Sequence, residues 1–152
     1  MTPERIRISS QTPWEPVVGY SRAVVAGDFV FVSGCTSVQD GTLVHEGDPY
    51  RQTAQAIANV AAALDQVGAE ISDVVRTRIF VTDISRWEEY GRAHGEAFAG
   101  SRPATSMVEI RRLVDPRMLV EIEAVAYLPA GTARRSDGAD DVIRDPPAGA
   151  AA

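Results

Sequence analysis

The sequence predicts an α+β domain in which two helices cover one face of a single sheet. Three observations carry that prediction. Short β-branched runs at 22–26 and 29–33 are separated by Gly27-Asp28, a hairpin signal. Two longer segments, 49–68 and 85–99, place their apolar residues at helical spacing. Segments 74–82, 104–112 and 118–128 alternate with period two, as half-buried strands do. A chain of 152 residues suffices for one such domain around one core, and it contains no internal repeat.

In chain order, Arg5-Ile6-Arg7-Ile8 predicts a short strand with one wet face, followed by a loop through Pro13, Trp14, Pro16 and Gly19. After the hairpin, Gly34, Asp40-Gly41 and Gly47 mark irregular connections around a weak strand at Leu43-Val44. Asp48 can cap the first helix, and Pro49 suits its first position, where a missing N–H costs nothing. Ile57, Val60, Ala61, Leu64 and Val67 make its apolar stripe, and Gly68 ends it. In the next strand Val75, Thr77, Ile79 and Val81 share one face, with Arg76, Arg78 and Phe80 on the other. Ser85 and Glu88 form a capping-box pattern opening the second helix, whose inner face is predicted to carry Trp87, Tyr90, His94 and Phe98. The last two strands are predicted to pair as a hairpin turning at Asp115-Pro116. From Ala130 the composition shifts to Ala, Gly, Asp, Arg and Pro. The folded domain is therefore placed at 1–129, and 130–152 is predicted to be a mobile tail with Val142-Ile143 as its one anchor.

Composition excludes several chemistries. All fifteen basic residues are arginine, which removes Schiff-base, pyridoxal-phosphate and lysine phosphate-loop mechanisms. A net charge of −6 argues against non-specific binding to nucleic acid or anionic lipid. The single cysteine, Cys35, forms no intrachain disulfide, and His45 and His94 fit no metal-ligand spacing, so no metal is expected. Without an apolar signal core or a membrane-length run, a cytoplasmic protein is expected.

The last two strands hold the most informative pattern. Thr105, Met107, Glu109 and Arg111 share one face of the first, and Leu119, Glu121, Glu123 and Val125 one face of the second. Opposite them, Val120, Ile122, Ala124 and Ala126 suit packing beneath helices. The glutamate-bearing face is then too apolar for open solvent and too charged for a sealed core. Two readings stand: an edge region with solvated glutamates, or a subunit interface holding a water-lined pocket whose carboxylates are partnered by arginines. Cys35 reads as a small buried hydrophobe or a cleft thiol, and His94 as a packed histidine or a base. Arg111-Arg112 reads as a solvated strand end or an anion site.

Pro103-Ala104-Thr105-Ser106-Met107-Val108-Glu109-Ile110, then Leu113 and Val120-Glu121-Ile122-Glu123-Ala124, resemble the signature of the Rid (YjgF/YER057c/UK114) family. Gly19-Tyr20, Val32-Ser33-Gly34, the first helix and segment 75–83 extend the resemblance over about residues 18–128. It implies a chorismate-mutase-like fold, a mixed sheet backed by two helices on one face. It also implies a homotrimer whose sheets surround a central barrel, with sites in three inter-subunit clefts. The implied activity is hydrolysis of enamines and imines such as 2-aminoacrylate to a 2-keto acid and ammonia, with no cofactor. In that scheme an arginine grips the substrate carboxylate and a glutamate positions water. Carried over residue by residue, Glu123 matches the water-positioning glutamate and Tyr20 a site-lining aromatic, with Gly34 and Cys35 at the cleft.

The chain departs from the pattern where the arginine is expected, between Ala104 and Ser106: it has Thr105, and Met107 where a cysteine is often found. It therefore resembles an arginine-lacking subgroup. One neutral hydroxyl in place of a charged fork costs about 2–4 kcal/mol of carboxylate binding at a desolvated contact. Arg111 lies about 20 Å along the strand from Thr105, out of reach, whereas Arg102 precedes Pro103 and is the candidate replacement anchor. Three functions are carried forward. The first is an enamine/imine deaminase (a hydrolase) acting on a small carbonyl- or carboxylate-bearing metabolite. The second is a non-catalytic small-molecule-binding or regulatory trimer. The third is an endoribonuclease, against which the acidic charge and absent lysine weigh. The expected partners are further copies of the chain and a small metabolite, with neither nucleic acid nor membrane.

Overall fold

The computed structural model describes residues 5–129 and 142–144. Along the chain the elements are β1 (Ile6–Ile8), α1 (Trp14–Val18), β2 (Ala23–Ala26), β3 (Phe29–Cys35), β4 (Val38–Gln39), β5 (Thr42–Leu43), α2 (Pro49–Asp65), β6 (Val74–Val81), α3 (Trp87–Ala97), β7 (Ala104–Glu109), β8 (Val120–Tyr127) and β9 (Val142–Arg144). Seven strands form one mixed sheet in the order β7-β6-β8-β3-β2-β1-β9, and β4 and β5 pair separately. Only β6 and β7 run parallel. The result is a mixed α+β fold of the predicted kind, with α2 and α3 against one sheet face.

Local signals set the predicted elements. β2 and β3 join with Ala26 opposite Phe29, and Gly27 takes φ +60° at the first turn position, where a side chain would be strained. The Asp48 carboxylate accepts from the Arg51 N–H at 3.0 Å and starts α2 one residue before Pro49. Its buried line is Ala56, Ile57, Val60, Ala63 and Leu64, continued by Val67. These pack over Val30, Val32, Ile122, Ala124 and Ala126 of the sheet, and the alanines on both sides let helix and sheet approach closely. Each fully buried Val, Leu or Ile side chain is worth about 1.5–3 kcal/mol.

Two side chains on α2 fix where it sits. Gln52, wholly buried, donates to the carbonyls of His45 (3.2 Å) and Arg117 (2.9 Å) and accepts from the Leu119 N–H at 2.9 Å. Asn59 donates to the carbonyls of Thr36 and Val38. They tie the helix to the segments entering β8 and leaving β3.

The structure corrects several sequence expectations. β7 and β8 are not a hairpin, because β6 lies between them. The unit β6-α3-β7 is a crossover that returns parallel, and β8 instead pairs antiparallel with both β6 and β3. The Pro13–Pro16 region is a one-turn helix, α1, in whose first turn proline is tolerated, closed by Gly19 at φ +79°. The second helix is announced by Asp83, whose carboxylate accepts from Ser85 N–H ahead of a 3-10 turn (Ile84–Arg86). α3 thus begins at Trp87, which is 56% exposed, while Tyr90 is fully buried with Ala93 and Phe98. A register shift between Val74 and Arg76 turns Val75 outward and Val74 into the core. Of the tail, Val142–Arg144 pairs with β1 as an edge strand; the rest of 130–152 lies outside the described residues.

Candidate functional site

The face of the sheet turned away from the helices carries one dense polar cluster, built around an irregularity in β3. The register between β3 and β8 shifts between Val32 and Cys35, and Gly34 sits in that shift. A methyl group on Gly34 would meet the Glu121 carboxyl at 2.5 Å, so the absent side chain is what lets the carboxyl lie against the β3 backbone. Arg22 underpins the same bend. Its Nη1 donates to the Gly34 carbonyl at 2.7 Å and approaches the Cys35 sulfur at 3.5 Å, and its Nη2 donates to the Tyr20 hydroxyl at 3.3 Å. Tyr20 also lies beneath the guanidinium, 5.6 Å from ring centre to Cζ.

The electrostatics follow from this packing. Burial pushes the Glu121 carboxyl above the usual carboxylate range, the neighbouring Glu123 charge pushes the same way, and Arg22 opposes both. Burial likewise pushes the Cys35 thiol up, against the pull of Arg22. The thiol donates to the Ser33 carbonyl at 3.4 Å, and its burial favours the protonated form. Glu123, two residues beyond Glu121, is a half-exposed carboxylate paired with Arg78 at 3.3 Å, a surface pair worth little to stability.

Thr105 and its neighbours lie elsewhere. Registers place Ser106, Arg78 and Glu123 side by side on the outer face, and Thr105, Thr77 and Ala124 on the helix-facing side. The Thr105 hydroxyl is 2.8 Å from that of buried Thr77, which is 2.9 Å from His94 Nε2 on α3. Met107 packs against the edge of the core. Glu109, grouped with the other glutamates by strand periodicity, instead reaches the Ile84 N–H at 2.9 Å. Arg102 lines a cavity of about 470 Å³ between the end of α3 and the start of β7, together with His94, Phe98, Pro103 and Thr105.

Of the residues singled out in the sequence, the structure therefore brings Tyr20, Gly34 and Cys35 together, and gathers Thr105 and Arg102 on the opposite side of the sheet. Glu123 stands beside the first group without entering it. Sequence reasoning passed over Arg22 and gave Glu121 no role. Arg22 had a signal, a cation two residues from Tyr20 at a strand entrance. Nothing in the alternation separates Glu121 from Glu123, and the bend at Gly34 decides between them. Among the described residues no cluster of His, Cys, Asp and Glu could hold a metal ion, and no helix is long and apolar enough to cross a membrane.

The chain is similar to known proteins over most of this fold. The endoribonuclease L-PSP family profile matches residues 10–128. The uncharacterized protein SCO2049 of Streptomyces coelicolor is 40% identical over 128 residues, covering 84% of this chain and 96% of that protein. A RutC family protein of Pyrococcus abyssi is 35% identical over 115 residues, 74% of this chain and 89% of that one. The crystal structure of Rv2704 from Mycobacterium tuberculosis, described as a member of the YjgF/YER057c/UK114 family, superposes with a TM-score of 0.74 at 50% identity, covering 82% of this chain and 99% of that one. The shared profile, the identities and the superposed sheet leave one conclusion: this chain belongs to the YjgF/YER057c/UK114 (Rid) family.

Proposed function

We propose that the protein binds a small carbonyl- or carboxylate-bearing metabolite at the Glu121–Gly34–Arg22 cluster and hydrolyses imines or enamines there slowly. The observation that carries this reading is the Glu121 carboxyl, partly desolvated with a raised pKa, laid against Gly34 on the open face of the sheet. A carboxyl whose pKa is raised takes up a proton more readily than an ordinary carboxylate, which suits it to general acid–base work. In the reaction, water adds to the carbon of C=N as Glu121 takes its proton and returns one to nitrogen. Collapse of the resulting amino alcohol releases ammonia and leaves C=O, so the balance needs only water. Another copy of the chain completes the cleft, since Phe29, Phe31 and Tyr127 expose aromatic surface on the same sheet face.

Arg22 is committed to the Gly34 carbonyl and Tyr20, and Thr105 faces Thr77 and His94. Neither residue therefore offers a free charged fork for a substrate carboxylate beside Glu121, which supports slow turnover of carboxylate-bearing imines.

The test follows 2-keto acid release from imines formed in situ by an amino-acid oxidase, against uncatalysed decay. The native protein is expected to accelerate release modestly, Glu121→Gln to abolish the acceleration, and Glu123→Gln to keep most of it. Equal rates for native protein and Glu121→Gln would leave a binding protein or regulator as the function.

A further inference from the structure

The outer sheet face carries a second charged group, on β6, that the Glu121 cluster does not use. Arg76 and Arg78 stand two residues apart on one face of that strand, about 7 Å from each other. Across the ladders Arg76 is flanked by Ala104 of β7 and Val125 of β8, and Arg78 by Ser106 and Glu123. Two like charges this close repel, and Glu123 is the one carboxylate set beside them.

Arg78 takes that carboxylate, with Nη1 at 3.3 Å from Glu123. No carboxylate of the described residues pairs with Arg76. Its Nε is closed off from solvent and meets no acceptor, and its Nη2 reaches only the Ser106 hydroxyl, at 3.4 Å. The guanidinium is therefore half-buried between apolar neighbours, with part of its hydration lost and no negative charge in return.

Only donors remain unspent here. Ser106 accepts from Arg76, so its own O–H is free to donate. Arg76 Nη1 and Arg78 Nη2 hold further unused N–H groups. Two guanidiniums against one carboxylate leave a charge of +1. Three donor side chains on two adjacent strands suit an anion whose acceptor oxygens point in several directions. A phosphate group offers three such oxygens, whereas a carboxylate offers two in one plane.

We propose that Arg76, Arg78 and Ser106 bind a phosphate group, either the free ion or the monoester of a small metabolite. Arg76 supplies the main charge, Ser106 a hydrogen bond, and Arg78 is shared between the ligand and Glu123. Val125, opposite Arg76, lies four strand residues from Glu121, about 13 Å. The site is thus separate from the proposed catalytic carboxyl and stands whether or not that carboxyl is active. Phe31 pairs with Val125 in the same row, so the competing occupant is a carboxylate from a neighbouring copy of the chain.

The experiment is calorimetric titration of the full-length protein with inorganic phosphate at pH 7, ionic strength held constant with chloride, and sedimentation of every variant alongside. Saturable binding is expected. Arg76→Gln should weaken it about tenfold, Glu123→Gln, which releases Arg78, should tighten it, and Glu121→Gln should leave it unchanged. Methyl phosphate separates the two sources: binding at least as tight as inorganic phosphate assigns the site to a phosphorylated metabolite, and much weaker binding assigns it to the free ion. No saturable binding at tens of millimolar, acetate binding as tightly as phosphate, or affinity insensitive to Arg76→Gln would each overturn the proposal. An assembly that Arg76→Gln loosens equally with and without phosphate would give Arg76 to a neighbour's carboxylate and overturn it too.

Discussion

At Glu121 the demands of folding and of chemistry pull apart. Its carboxyl is held above the usual range chiefly by burial, then by Glu123. The folded protein therefore keeps a proton that the unfolded chain has already released, and stability falls as pH rises from the unfolded value toward the folded one. Gln at this position has no proton to lose. Glu121→Gln is expected to be at least as stable as the native protein at pH 7, with the advantage shrinking to nothing as pH drops below the ordinary carboxylate range. Urea unfolding at pH 4 and pH 7 measures both ends. An advantage that grows on acidification would mean the carboxyl is stabilised as an anion. Glu15 behaves in the opposite sense: burial raises its pKa, but hydrogen bonds from Ser9 and Ser10, with help from Arg22, outweigh that and lower it. Its contribution is present at neutral pH and is lost only as acid reaches its lowered folded pKa.

Elements announced by contiguous residues were legible in the sequence. Asp48-Pro49 starts α2 and Gly27-Asp28 turns the β2–β3 hairpin, because caps and tight turns are local physics. What the sequence hid is non-local. Period-two counting sorted Thr105 from Ser106 correctly but could not say which set meets Glu121, since that depends on β6 entering between β7 and β8. The same insertion separates Thr105 from the cluster at Tyr20, Gly34 and Cys35. Gln52 was equally invisible, a polar residue on a helix whose value lies in three partners far along the chain. Replacing it with Leu removes all three hydrogen bonds and strands the Leu119 N–H in the interior. Gln52→Leu is expected to cost about 2–4 kcal/mol, read as a lower urea midpoint at unchanged slope. A cost below the error of the measurement would mean that water re-satisfies these groups.

On the scale of the whole molecule, the outer sheet face is too apolar to be left wet. Phe29, Phe31 and Tyr127 are 42%, 47% and 42% exposed, and Phe29 contacts both of the others, with ring centres 6.4 and 5.3 Å apart. Val125, paired with Phe31 across the strands, continues the patch. Aromatic surface presented in a block is the mark of an interface, and the homotrimer implied by the family resemblance would cover it. Sedimentation should give a trimer at micromolar concentration, and Phe31→Glu, which sets a charge in the patch, should shift it toward monomer. A native monomer, or a Phe31→Glu trimer as tight as the native one, would place the contact elsewhere.

β7 closes the sheet on one side, hydrogen-bonded to β6 alone. Glu109 is the only charged side chain along its six residues, and the chain has no lysine, the residue that most often blunts such a margin. The strand thus carries a single repellent, at its end, against a like strand from another molecule. In the proposed trimer, freeing the subunits from one another would release an adhesive border along with a monomer. For variants such as Phe31→Glu, solubility at rising concentration should then fail well before the fold does, with the precipitate growing strand against strand.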